Sequence, residues 1–309
     1  MAKETIDLNV RINNLCFDTP IIPASGVFGY GDELIDIIDY KFLGAIVTKT
    51  LTWKETVGNP PPRIWELENG LINSIGLQNI GVKRFCEEKL PRLNKIKKPI
   101  IVSVGGEQLE DMEKSVEFLN GYPSIAAFEL NLSCPNTKTK QIISENSDAL
   151  YKTVKTIKRL TDKPVITKLS PNVTDICEIG KSAEEAGADM LCAGNTFKGL
   201  YYNWHSEKFY AGGVSGGMIF PMACRNIFEL YRTISIPIIG LGGINSEKRA
   251  IEMVFAGASI VGVGTHLVIT PDIAKRIYRF FIAYLKKCGK SRFSSIVGIK
   301  NGEKYKKQK

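Results

Sequence analysis

The residues best able to do chemistry sit in one octapeptide, Glu129-Leu130-Asn131-Leu132-Ser133-Cys134-Pro135-Asn136. It follows Ile125-Ala126-Ala127-Phe128, a short apolar run that predicts a buried strand. Pro135 lacks the N–H that a ladder needs. It therefore predicts the strand's end and puts Cys134 on the loop just past a C-terminal tip. Asn131 and Asn136 bracket the thiol with amides that both donate and accept. A thiol so placed suits proton abstraction or nucleophilic attack. An isolated free cysteine is more often a small buried hydrophobe, and it is the flanking amides that separate the two readings here.

Something must hold that loop. Residues 6–17 alternate apolar and polar around Asn13-Asn14, which predicts a β-hairpin that plugs one end of the main body. One unit then recurs, an apolar run ending in small or polar residues. Its copies span residues 21–26, 45–50, 100–105, 126–133, 165–170, 189–195, 238–243 and 260–265. Stretches of 3.6-residue periodicity lie between most of them, at 107–119, 147–160, 175–186, 221–233, 246–255 and 271–287. Strands that are apolar throughout and alternate with helices predict a parallel sheet buried on both faces. Eight of them predict a closed (β/α)8 TIM barrel, with a doubly wound open sheet as the alternative. The long connections at residues 51–80 and 196–219 then belong to the C-terminal face, where active sites sit. Residues 135–146 predict a lid over Cys134.

Barrel strands aim their ends at a common point. These ends supply Ser25, Lys49, Ser103, Asn131 with Cys134, Lys168, Asn195 with Thr196, Gly242-Gly243 and Gly264-Thr265. The set has two lysines and no acid, which favours an anionic or electron-rich ligand. A lysine aimed into a barrel is costly without an anion or acceptor to meet. The glycine-rich ends of the last two strands suit a phosphate, because backbone N–H groups approach closely where there is no Cβ. His205 and His266 pair with no acid or cysteine at ligand spacing and read as structural or surface residues, so no metal is implied.

The 309-residue chain is 44% hydrophobic and 24% charged, an ordinary globular balance. Its net charge of +9 suggests nucleic acid until it is located, since residues 286–309 alone carry +8. Residues 1–287 read as a single barrel domain and 288–309 as a basic, solvated, flexible tail. Seven widely spaced cysteines with no Cys-x-x-Cys fit a reducing cytoplasm and give no cluster or zinc spacing. The sequence predicts no signal peptide and no apolar membrane span.

Taken together, these residues resemble the soluble dihydroorotate dehydrogenases. The likeness runs through Pro23-Ala24-Ser25-Gly26, Lys49-Thr50, Gly58-Asn59-Pro60, Asn73-Ser74-Ile75-Gly76-Leu77-Gln78-Asn79 and the Cys134 octapeptide. It continues through Lys168-Leu169-Ser170-Pro171-Asn172-Val173-Thr174, Asn195-Thr196, Gly213-Val214-Ser215-Gly216 and Gly242-Gly243. The resemblance implies an FMN-bearing barrel that oxidises dihydroorotate to orotate in pyrimidine synthesis. Cys134 would remove the C5 proton while hydride leaves C6 for the flavin, with Lys49 beside it as a catalytic group. Lys49, Asn73, Ser74, Ile75, Gly76, Leu77, Asn131, Asn195 and Thr196 match substrate positions. Ser25, Lys49, Thr50, Ser103, Asn131, Lys168, Gly216, Gly242, Gly243, Gly264 and Thr265 match FMN positions. Two departures stand out: Ser103 where members often carry Asn, and Gly217-Met218 in place of Pro-Ala.

Within the family, Asn195-Thr196-Phe197-Lys198-Gly199 and Leu169-Ser170-Pro171-Asn172-Val173 resemble the NAD-linked branch. That branch implies a dimer of this chain in a heterotetramer with a subunit carrying FAD and a 2Fe-2S cluster. The alternatives are a fumarate-linked homodimer and a uracil or thymine reductase subunit. A tRNA dihydrouridine synthase would need a basic body, and a non-catalytic scaffold would be colourless.

Overall fold

The computed structural model describes residues 6–106, 108–132 and 142–301. A short hairpin comes first, β1 (Val10–Ile12) and β2 (Leu15–Phe17). Asn13 takes a φ of 53° at its turn, a conformation asparagine tolerates better than most residues. Two barrel strands come next, β3 (Ile21–Pro23) and β4 (Ile46–Val47). The first crossover between them carries only a 3-10 turn at Tyr40–Phe42 in place of a helix. After β4 the chain makes β5 (Ile64–Leu67) and β6 (Gly70–Asn73), then the short helices α1 (Val82–Glu88) and α2 (Leu90–Leu93).

From there strand and helix alternate. The order is β7 (Ile100–Gly105), α3 (Leu109–Asn120), β8 (Ile125–Asn131), α4 (Ser147–Lys158), β9 (Val165–Leu169) and α5 (Ile176–Glu185). Then comes β10 (Met190–Ala193), whose outgoing loop forms β11 (Phe197–Asn203) and β12 (Lys208–Ser215). The chain finishes with α6 (Phe220–Tyr231), β13 (Ile238–Leu241), α7 (Glu247–Ala256), β14 (Ile260–Val263), α8 (Thr265–Ile269) and α9 (Ile273–Lys287). Side-chain caps fix several starts: Asn146 accepts from Ala149 N (2.8 Å) and Asp175 from Cys177 N (2.8 Å).

The barrel sheet runs β3-β14-β13-β10-β9-β8-β7-β4, parallel at every pair. Gly44 N donates to Ile21 O (2.7 Å) at the seam between the outer members, so the eight-stranded ring closes, as the sequence predicts. Inside it, side chains alternate with period two. Ile22, Val47, Ile101, Ala127, Ile166, Met190 and Ile239 fill the lower barrel, and Ile12, Leu15 and Phe17 of the hairpin seal it from below.

The connections at 51–80 and 196–219 are more than loops. β5, β6, β11 and β12 join in one antiparallel sheet of order β11-β12-β6-β5. The tail expected from residue 288 departs from expectation as well. Asp7 and Arg292 form a bridge, Phe293 and Ile296 are buried, and Asn301 Nδ2 donates to Phe228 O (2.9 Å) and Ala256 O (2.5 Å). Charge alone predicted solvation for this segment, but the apolar residues between its lysines dock it as far as residue 301. No helix among the described residues is long and apolar enough to cross a membrane.

Candidate active site

A cavity of about 710 Å³ opens at the C-terminal mouth of the barrel, with the antiparallel sheet forming part of its wall. Period-two alternation brings polar side chains to it. On β8, Ala127 faces the apolar floor, Glu129 lies a layer higher and Asn131 reaches the cavity. On β9, Ile166 and Lys168 are related in the same way.

Of the residues singled out above, Ser25, Lys49, Thr50, Asn73, Ile75, Gly76, Leu77, Asn131, Lys168, Asn195 and Thr196 line the cavity. So do Gly216, Gly242, Gly243, Gly264 and Thr265. Ser74 and Ser103 do not. Ser74 turns outward, its hydroxyl and carbonyl accepting from Asn59 Nδ2 (2.9 Å). Ser103 is fully buried behind Thr50, with its Oγ 3.2 Å from Thr50 Oγ1. Cys134 and the proposed lid up to residue 141 lie outside the described residues.

The two lysines sit in different surroundings. Lys168 is buried, donates to Ser25 Oγ (2.8 Å) and lies 3.7 Å from Glu129 Oε1. Lys49 is half-buried with its Nζ 5.5 Å from the centre of the Tyr30 ring. Burial pulls the Lys49 pKa down, which nearby Glu33 opposes and Arg63 reinforces. Tyr30 is itself fixed, its hydroxyl accepting from Ile80 N (2.9 Å).

On β13 and β14, across the ring from β8, the wall is mostly backbone. Gly243 has a φ of 73°, and a Cβ there would come within 2.5 Å of Phe220 N, so only glycine fits. Gly216 is similar, at φ 101° and with a Cβ position 2.4 Å from Gly70 Cα. Arg249, on the first turn of α7, pins both glycine loops by donating to Gly217 O (2.7 Å) and Gly243 O (3.2 Å). Thr265 Oγ1 donates to Ser215 Oγ (2.8 Å), tying barrel to wall.

Three features escaped the sequence reading. Glu129 puts an acid beneath a set of strand ends that looked free of acids; alternation from Asn131 was the available signal. His266, read as structural or surface, is partly buried and lines the cavity; burial pulls its pKa down, with Arg276 adding to the effect. Arg63 also lines the cavity, held by Asn59 O (2.9 Å) and Gln78 Oε1.

None of the described cysteines lines the cavity. Burial pushes Cys86 and Cys224 up to about 11. Cys192, on the barrel interior, is raised by burial and then by Glu129, so it stays a thiol.

A family model described as dihydroorotate dehydrogenase matches residues 7–285. The catalytic subunit of dihydroorotate dehydrogenase B (NAD(+)) from Carboxydothermus hydrogenoformans is 39% identical over 299 residues, covering 95% of this chain and 97% of that protein. The subunit of the same name from Endomicrobium trichonymphae is 43% identical over 269 residues, covering 86% and 88%. A crystal structure of DHODH in complex with ferulenol from Eimeria tenella superposes with a TM-score of 0.81 at 23% identity, covering 98% of this chain and 91% of that one. That last likeness bears on the fold, a TIM barrel.

Proposed function

The chain belongs to the dihydroorotate dehydrogenase family, and we propose that it oxidises dihydroorotate to orotate with FMN held in the barrel-mouth cavity. The observation that carries this reading is the meeting, in one cavity, of Lys49, Asn131 and Lys168 with the glycine loops of β13 and β14.

The residues present fit FMN. Gly242, Gly243, Gly264 and Thr265 would hold its phosphate through backbone N–H groups. Ser25, Thr50 and Lys168 would meet the ring system. Asn131 Oδ1 is buried with no hydrogen-bond partner among the described residues, which is the state of an acceptor awaiting a ligand N–H. When bound, FMN supplies acceptance of the hydride that leaves C6.

The chain supplies the rest. The Lys49 ammonium offers a partly desolvated charge to the substrate carboxylate. Asn73, Asn195 and Thr196 offer amide and hydroxyl groups to the ring carbonyls. The Lys168 ammonium stabilises negative charge that develops on the ring system beside it. The β5–β6 and β11–β12 strands limit water around the reacting carbons. Cys134 takes the C5 proton as thiolate. The C5–H electrons become the new C5–C6 double bond as the C6–H pair departs, and orotate leaves.

Relatives named "catalytic subunit" of a NAD(+) enzyme support a partner subunit that carries the electrons onward. FAD and an iron–sulfur centre belong on that partner, with NAD as final acceptor.

The test is direct. Purified protein should be yellow, and dihydroorotate should bleach it without oxygen while uracil should not. With Cys134→Ala, bleaching should slow by at least about 100-fold while orotate still binds. Wild-type bleaching should accelerate as pH rises and the thiol ionises. A flat profile from about pH 6 to 9 sinks Cys134 as the base.

A further inference from the structure

A chain of hydrogen bonds runs from the buried Glu129 and Ser103 up to Thr50 and Asn131 at the cavity wall. Glu129, 3% exposed, accepts from Ser103 Oγ at 2.9 Å. Ser103 Oγ lies 3.2 Å from Thr50 Oγ1, and Asn131 Nδ2 lies 2.8 Å from that same Thr50 oxygen. Glu129 also sits 3.7 Å from the Lys168 ammonium.

The direction of the chain comes from counting protons. A carboxylate beside an ammonium only accepts. Ser103 therefore spends its one hydroxyl proton on Glu129 and can only accept from Thr50. Thr50 spends its proton on Ser103 and can only accept from Asn131. Asn131 must then turn its NH₂ toward Thr50, leaving Oδ1 turned away from Thr50 on a residue that lines the cavity. That atom is the one found buried and without a partner among the described residues. An amide's two ends are nearly isosteric, so a network is what sets its orientation.

We propose that Glu129 is a positioning residue for the reaction: acting through Ser103 and Thr50, it locks the Asn131 amide with its carbonyl toward the ligand, so the site takes a ring N–H there and disfavours an acceptor. This rests on the dihydroorotate reading for the identity of the ligand, but the relay itself does not. Ser103, read at first as a cofactor contact, becomes the middle link.

The substitution Glu129→Gln supplies an NH₂ that can donate to Ser103. Every link can then reverse, and Asn131 can present its NH₂ instead. The test reads a change of sign. In otherwise wild-type holoenzyme, Glu129→Gln should raise the orotate Kd about tenfold, seen as a shift in flavin absorbance on titration, and raise KM more than it lowers kcat. In an N131D background both oxygens of residue 131 accept, so the wild-type relay sets an acceptor against the Thr50 oxygen. There Glu129→Gln should instead restore a donor, raising both orotate affinity and the melting temperature of the ligand-free holoenzyme. Ser103→Ala frees the Thr50 proton and leaves the Glu129–Lys168 pair intact, so it should show the same reversal even if Glu129→Gln folds poorly. Effects of the same sign in both backgrounds overturn the proposal, since loss of packing alone would behave that way. Failure of wild-type protein to bind orotate would defeat the functional reading, while the melting-temperature cycle would still decide the relay.

Discussion

Lys49 shows how a single side chain is set by its surroundings. Burial pulls its pKa down, so it sheds its proton at lower pH than a solvated lysine. The folded form then binds that proton less tightly than the unfolded chain. The cost of holding the charge is present at low pH and is relieved as pH rises through the lowered pKa. Ligand binding runs the other way, because an anion needs the ammonium. Orotate affinity should fall on the alkaline side earlier than an ordinary lysine predicts, and Lys49→Met should weaken binding and remove that alkaline limb, as titrations across pH would show. Lys49, Asn131 and Lys168 were legible in the sequence because each sits at or just beyond the end of an apolar run. Glu129 was equally legible by alternation, but it lies a layer below the strand ends and so outside the set of polar tips. Arg249 and His266 were not legible. Their reach depends on how α7 and α8 lean over the mouth, which no local pattern encodes.

Among the elements, the eight barrel strands and the six longer helices were readable because each keeps one period over its length. The wall sheet was not. Pro60-Pro61-Pro62 and the glycines around residues 212–217 mask its strands, and Asn73 pairs with Gly213 far along the chain. Such non-local pairing leaves no trace in either segment alone. The glycine loops depend on neighbouring elements in the same way. Gly243→Ala should force Phe220 back and lower the FMN-to-protein ratio after gel filtration, because the backbone there has no room for a Cβ. Arg249→Met should produce a similar loss of cofactor by releasing the carbonyls of Gly217 and Gly243, with much of the melting temperature retained.

For the whole molecule, the hairpin and the C-terminal segment finish the body that the barrel begins. Phe293 is 1% exposed and packs against Phe281 with ring centres 5.2 Å apart. Phe293→Ala should cost about 3–5 kcal/mol in denaturant unfolding. Truncation after residue 287 should lower the unfolding midpoint sharply, because it removes the buried Phe293, Ile296 and Asn301. The charge-based boundary at 288 misplaced the edge of the domain because lysines mark solvent contact only where no apolar neighbour pulls the chain inward.

The shared wall has a consequence for how this molecule matures. One strand pair is made early in the chain and its mate more than a hundred residues later, so neither half of the ring owns a chamber. A ribosome must finish the later pair before anything can be enclosed. Enclosure of the chamber, and with it any uptake of pigment, therefore has to follow the pairing of Gly213–Ser215 with Leu71–Asn73.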